Sequence, residues 1–283
     1  MLAAAKINLD LRITGRRDDG YHHLDSIVVF TDVGDEVYAE KSDELSLEIS
    51  GPFADGFKTT DGNLILQAAK TLCHEANVEP TIKFRLVKNL PLSSGIGGGS
   101  SDGAAAMKLV QDILNLKIDE KKLNEIALKI GADVPVCLRS KASHMCGIGD
   151  ELNDIKLAPG IHMLLVNPGI SVSTPEIFRK YAASNVSFDK KRQPFTGQIH
   201  LPLMIDILKS SRNSLQQAAC SINNEISDVL IALGNTDGAL LSRMSGSGAT
   251  CYSLYENFDQ CVVAAKKISE LNKKWWVKEA IIS

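Results

Sequence analysis

The run Leu90-Pro91-Leu92-Ser93-Ser94-Gly95-Ile96-Gly97-Gly98-Gly99-Ser100-Ser101 constrains this chain more than any other segment. An alanine-rich stretch follows it at once (Ala104–Ala106, then Met107, Leu109 and Val110). Glycine lets the backbone come close to a ligand and take positive φ, and the first amides of a helix lack intrahelical partners. A glycine loop that opens a helix is therefore an anion site, with phosphate its commonest occupant. A plain Gly/Ser linker is the alternative, but an extended run (Thr81–Val87) and a helix lie directly against the loop on either side. The P-loop motif needs a lysine after its last glycine, and none stands here. The dinucleotide fingerprint is only approximated, since Ser100 occupies the place of its third glycine.

Bulk composition narrows the class. A chain of 283 residues suffices for about two domains with sizeable cores. Apolar residues make up 44 % and charged ones 23 %, as in ordinary soluble proteins, and no apolar run approaches a membrane span. The 31 basic and 34 acidic residues leave −3, which argues against a general nucleic-acid or membrane surface. Lys6 interrupts an N-terminal stretch too short for a signal-peptide core. The six cysteines (Cys73, Cys137, Cys146, Cys220, Cys251, Cys261) show no Cys-x-x-Cys or His-paired spacing. Reduced, mostly buried thiols in a cytoplasmic protein are the expectation.

Residues 5–13 alternate, with Ile7, Leu9, Leu11 and Ile13 on one face and Lys6, Asn8, Asp10 and Arg12 on the other. This predicts a half-buried strand on which Lys6 and Asn8 share a polar face. Further strands are expected at 27–30, 36–40, 45–49, 81–87 and 162–166. A strand pair, 240–244 and 250–255, should surround Ser245-Gly246-Ser247-Gly248, and 277–282 should close the chain. Helical periodicity marks 63–76, 119–130, 175–183, 201–210, 219–233 and 258–271. Leu157-Ala158-Pro159-Gly160 breaks the pattern, and strands and helices mix without strict alternation, which suggests α+β in both halves.

Four strings now fall into place together. They are Ala5-Lys6-Ile7-Asn8-Leu9 continuing through Ile13-Thr14-Gly15 to Asp18-Asp19-Gly20-Tyr21-His22, the glycine loop, Gly131-Ala132-Asp133-Val134-Pro135, and Met244-Ser245-Gly246-Ser247-Gly248-Ala249. Spread from residue 3 to about residue 251, they resemble the motifs of the GHMP small-molecule kinase superfamily. Ile96 and Gly103 stand where leucine and alanine are usual there, and Asn224 where an acidic residue is common.

The resemblance implies an α+β, two-domain fold. Residues 1–155 would form a mixed α/β domain carrying the ATP-phosphate loop, and 156–283 a ferredoxin-like α+β domain on the substrate side. ATP and Mg²⁺ are the implied cofactors, with Pro91, Ser94, Gly95, Gly97, Gly98, Gly99, Ser100 and Ser101 around the phosphates. The serine hydroxyls would bond phosphate, help place Mg²⁺, or only cap the helix. Asp133 is the implied acceptor of the alcohol's proton and Lys6 its cationic neighbour. Local pattern alone reads them as a helix cap and a solvated strand lysine.

The Asp19-Gly20-Tyr21-His22 string implies a branch acting on the 2-hydroxyl of a cytidylyl-linked sugar alcohol in isoprenoid precursor supply. Tyr21, His22 and Phe178 would then hold the cytosine, and Asn8 the sugar alcohol. Read locally, His22 and Phe178 are ordinary packed residues. Gly246, Ser247 and Gly248 would buttress the nucleotide loop and face the substrate, or simply connect two strands. A cytoplasmic location is implied, without nucleic-acid or membrane partners. Monomer and homodimer remain open, as do the Mg²⁺ ligands.

Overall fold

A computed structural model describes residues 1–57, 60, 62–184 and 186–282. The chain begins with β1 (Leu2–Asn8), β2 (Arg12–Arg16), the long β3 (His22–Lys41) and β4 (Ser46–Ser50). After a short 3-10 turn come α1 (Leu64–Ala76), β5 (Ile82–Val87), α2 (Gly98–Leu114), α3 (Glu120–Ile130) and α4 (Val134–Arg139). Next are β6 (Ser143–Gly147), β7 (Glu151–Asp154), β8 (Lys156–Leu157), β9 (His162–Asn167), α5 (Thr174–Ala182), β10 (Gln198–Ile199) and α6 (Leu201–Lys209). The chain closes with α7 (Gln216–Ile222), α8 (Asn224–Gly234), β11 (Leu241–Met244), β12 (Cys251–Tyr255), α9 (Phe258–Leu271) and β13 (Trp276–Ile281).

Two compact units draw on interleaved segments. One comprises Met1–Lys6, Gly34–Leu92 and Gly97–Ser140, the other Ile7–Val33, Ser93–Ile96 and Lys141–Ser283. The sequence suggests two consecutive halves meeting near residue 155 instead. The division differs because β3 gives its first half to one unit and its second half to the other, which no local pattern shows.

In the first unit β5 lies between parallel β4 and the antiparallel 36–41 half of β3. Asn63 caps α1 by accepting from the Ile65 amide, and Asp119 caps α3 by accepting from Lys122. Helix α1 buries Ile65, Ala68, Ala69, Leu72 and Cys73, while α2 buries its alanine run with Met107 and Val110. A Cβ on Gly103 would stand 3.3 Å from Leu64 Cβ, so the small residue at this position lets the two helices pack closely.

In the second unit the antiparallel sheet runs β11-β12-β9-β13. Numbered along the chain these strands lie second, third, first, fourth, and α9 links β12 to β13: the ferredoxin-like arrangement. Leu164, Val166 and Cys251 of the sheet pack with Ile226 and Val229 of α8 and Cys261 and Ile268 of α9 in one core.

Three expectations need correction. Residues 5–13 are not one strand: β1 ends at Asn8, where Leu9 N turns to donate to Ile27 O and Leu11 N to Arg212 O. Nor is the polar face solvated, since Lys6, Asn8 and Asp10 are all buried. The single helix at 219–233 is two, α7 and α8, separated by extended Asn223.

Candidate active site

The glycine loop ends in the helix start that its sequence predicts. Gly97 is the N-cap of α2, in the left-handed conformation (φ 64°) and without a side-chain cap. The amides of Gly98, Gly99 and Ser100 therefore have no intrahelical acceptor, whereas Ser101 N already donates to Gly97 O at 2.8 Å. Ser101 Oγ donates to Ala4 O at 2.7 Å and is buried, which ties the helix to β1. Ser100, in contrast, is partly exposed at the helix mouth.

Each glycine answers to a different neighbour. A Cβ at Gly97 would meet Lys6 Cβ at 3.0 Å and Cε at 3.1 Å, and one at Gly98 would meet Lys88 Nζ at 3.2 Å. At Gly99 it would meet only Leu64 Cδ1, at an ordinary 3.6 Å. At Gly95 (φ 75°) it would strike the Ser245 and Gly248 carbonyl oxygens at 2.6 Å. Pro91 is buried, as is Ser94, whose carbonyl accepts from Thr250 N.

The loop at 245–248 forms the other side of that contact. Ser245 Oγ donates to Gly95 O at 3.0 Å and accepts from Asn8 N at 3.0 Å. Gly246 (φ 55°) comes so close to Gly95 O that a Cβ would lie 2.8 Å from it, and one on Gly248 (φ 89°) would lie 2.8 Å from Met244 Sδ. Asn213 Nδ2 donates to the carbonyls of Met244 and Gly246, and Ser247 Oγ pairs with Thr174 Oγ1 at 2.7 Å. Gly95, Gly246 and Gly248 are thus close-approach positions of the backbone.

Lys6 and Asp133 come together. Lys6 Nζ donates to Asp133 Oδ2 at 2.8 Å. The lysine side chain is 5 % exposed and the carboxylate 40 %, so the cation is held inside while the carboxylate stays open to an incoming group. Asp133 occupies the N-cap position of α4 yet makes no side-chain cap bond, which removes the helix-cap reading of its carboxylate. Nearby burial, helped by the Asp133 charge, pushes the Cys137 thiol up to about 12 and leaves it inert.

The pattern of the sequence did not reveal a second charged group. Lys88 Nζ bonds Asp35 Oδ2 at 2.6 Å and Asp102 Oδ2 at 2.7 Å, with all three buried. Burial opposes charge on Lys88, but the two carboxylates outweigh it and hold the ammonium above its usual range. Burial, with Asp35 adding to it, raises Asp102 against the pull of Lys88. Asp35 Oδ1 also accepts from the amides of Asn89 and Leu90. The group thus fixes the exit from β5 and the start of α2 together. Its signal was Lys88-Asn89-Leu90-Pro91 next to the loop, but nothing local shows which carboxylates answer the lysine.

In the other unit, His22 stacks on Phe178 with centroids 5.3 Å apart and meets Tyr181 edge-on at 6.0 Å. The two rings touch each other, so no base lies between them; a base would use an outer face of the pair. Burial, then the nearby Arg16, holds His22 below its ordinary value and keeps the imidazole neutral. Tyr21 is 64 % exposed, at the surface just before the stack. Asn8 Nδ2 donates to Ser26 Oγ at 2.8 Å, while its Oδ1 is buried without a partner. An unsatisfied buried acceptor suits a donor from a ligand.

The cysteine reading also needs correction: His144 and Cys146, two apart on β6, place Nε2 and Sγ 3.2 Å from each other. All six thiols are free.

The chain is similar to known proteins over nearly its whole length. The model for the GHMP kinases N terminal domain matches residues 63–141 and that for the GHMP kinases C terminal domain residues 200–274. A curated relative from Brucella melitensis biotype 1, named 4-diphosphocytidyl-2-C-methyl-D-erythritol kinase, is 41 % identical over 280 residues, covering 97 % of this chain and 92 % of the relative. A relative of the same name from Bradyrhizobium diazoefficiens is 39 % identical, covering 99 % and 96 %. The crystal structure of a 4-(cytidine 5'-diphospho)-2C-methyl-D-erythritol kinase superposes with a TM-score of 0.78 at 26 % identity, covering 100 % of this chain and 99 % of that one. A homoserine kinase from Cytophaga hutchinsonii shares the fold, with a TM-score of 0.68 at 16 % identity over 100 % and 95 % of the chains.

Proposed function

The chain belongs to the GHMP kinases, and from that premise we propose that it transfers the γ-phosphoryl group of ATP to the 2-hydroxyl of 4-diphosphocytidyl-2-C-methyl-D-erythritol. The observation that carries this reading is the 2.8 Å Lys6–Asp133 pair in the same unit as the free amides of α2. Relatives named for that substrate, about two-fifths identical over nearly the whole chain, support the choice of alcohol.

Phosphoryl transfer asks the protein mainly for positioning and charge stabilisation. The amides of Gly98, Gly99 and Ser100 donate to the ATP phosphates, and the helix dipole favours their negative charge. Lys88, bonded to Asp35 and Asp102, holds that helix start in place. Asp133 accepts the proton of the attacking hydroxyl through its exposed oxygen. In a loose transition state that proton leaves late, so an aimed, weakly basic carboxylate is sufficient. Lys6 keeps Asp133 oriented and stabilises the charge that develops on the attacking oxygen and the moving phosphoryl.

The outer face of the His22–Phe178 stack takes the cytosine, with neutral His22 able both to donate and to accept. The free Oδ1 of Asn8 accepts from a substrate hydroxyl. Ser100 offers a hard oxygen donor of the kind Mg²⁺ takes alongside phosphates, and it would help hold the ion. When bound, the ion would supply positive charge to offset the negative charge of the phosphates. Free, mostly buried thiols suit the reducing cytoplasm, and among the described residues no helix is long and apolar enough to cross a membrane.

The test is ADP release by the purified protein with the cytidylyl alcohol, mevalonate and homoserine offered in turn. Turnover only with the first supports the proposal. Turnover only with another alcohol would reassign the substrate, and ATP binding without turnover on any would make the protein a nucleotide sensor.

A further inference from the structure

We propose that Asp25, His144 and Cys146 form a binding site for a zinc-class divalent cation, separate from the Lys6–Asp133 pair. The β3–β6 ladder places Asp25 directly opposite Cys146, and His144 precedes Cys146 by two. Strand alternation therefore brings all three side chains out on one face. Cys146 Sγ lies 3.2 Å from His144 Nε2, and that nitrogen lies 3.3 Å from Asp25 Oδ1. The three ligand atoms are all within 4.8 Å of one another. Around a tetrahedral zinc with bonds of about 2.0–2.3 Å, ligands are separated by roughly 3.3–3.7 Å, so the cluster is close to coordination size.

Outside the cluster, the surroundings leave Asp25 Oδ1 short of a donor. All three residues are buried, and among the described residues Asp25 Oδ1 makes no hydrogen bond, while His144 Nε2 meets only Cys146 Sγ and Asp25 Oδ1 of the cluster itself. Arg192 Nε approaches Asp25 Oδ1 at 2.7 Å but is not aligned to donate to it. The guanidinium has a second buried carboxylate, Asp10, to which its NH2 group already donates. An ion bonded through Asp25 Oδ1 can displace Arg192 Nε without leaving that arginine unpaired. The buried aspartates Asp10 and Asp25 offset Arg192 and the nearby Arg12, and the thiolate formed when Cys146 loses its proton to solvent on binding offsets one of the ion's two positive charges.

The donor set selects the ion. One thiolate, one imidazole and one carboxylate suit zinc and not magnesium, which prefers oxygen throughout. The three residues leave a fourth position for water. An ion here would join β3 to β6 three residues beyond His22, beneath the edge-on Phe195 ring that lies 5.5 Å from His144.

Cobalt(II) titration of chelator-stripped, otherwise intact protein tests this, because cobalt reports a thiolate ligand by its charge-transfer absorption. We expect one cobalt per chain with that band, and displacement by zinc. The band should vanish in Cys146→Ser, at least a tenfold weaker binding should follow His144→Ala, and Cys220→Ser should change nothing. Zinc should also raise the thermal midpoint of the wild type and not that of Cys146→Ser. No band in the wild type, a band that survives Cys146→Ser, or a zinc-induced shift that persists in that variant overturns the proposal.

Discussion

Lys6 and Asp133 stand 127 residues apart in sequence and 2.8 Å apart in space, one buried on β1 and the other half open at the head of α4. Removing either partner should disable the reaction in a different way. Asp133→Asn keeps the shape, deletes the proton acceptor, and should lose most turnover while ATP affinity is retained. Lys6→Met should lower kcat as strongly. Single-turnover kinetics with a separate nucleotide titration measure both, and unchanged kcat in Asp133→Asn would remove that residue from the mechanism.

Gly97 is held by geometry on two counts. Its φ of 64° is costly for a residue with a Cβ, and that Cβ would press on the Lys6 stem at 3.0 Å. Gly97→Ala should cost about 1–2 kcal/mol in chemical denaturation and reduce kcat further by shifting the Lys6 ammonium. Gly99→Ala meets only ordinary contact and should leave stability nearly unchanged.

Among the described residues, Lys88 is the only cation bonded to Asp35 and Asp102. Lys88→Met leaves two buried carboxylates facing each other, and the expected loss is about 3–5 kcal/mol. Pairing it with Asp102→Asn should recover part of that loss. Denaturation of the two single variants and the double variant forms the cycle, and strict additivity would show that the pair is not coupled.

The His22–Phe178 stack predicts a split in the kinetics. His22→Ala and Phe178→Ala should each raise KM for the cytidylyl substrate well beyond any change in KM for ATP. Equal effects on the two substrates would place the base elsewhere.

His22 also gives a pH dependence of known sign. Burial depresses its folded-state value below the 6.5 of the unfolded chain. Its contribution is therefore complete above pH 6.5 and is lost as the pH falls through the depressed value, because the unfolded state takes up the proton first. The denaturation midpoint of His22→Gln should fall less than that of the wild type below pH 6.5, and the two curves should run parallel above it.

Much of this protein was legible in the residue order because the relevant signals are local. The glycine run, the Asn63 and Asp119 caps and the period of α9 each act within one turn or one strand, and so α1, α3, α9 and the start of α2 fall where they are expected. The strings around Lys6, the loop, Asp133 and Ser245 pointed to the family for the same reason. Tertiary structure alone decided which charges meet. Alternation marked Lys6, Asn8 and Asp10 as a wetted face, yet all three are buried. A polar strand face reads the same in sequence whether water or distant side chains satisfy it. The partners of Lys88 and the meeting of Asp25 with His144 and Cys146 likewise depend on strand register and on contacts spanning from 14 to more than 100 residues, which the chain specifies only once it has folded.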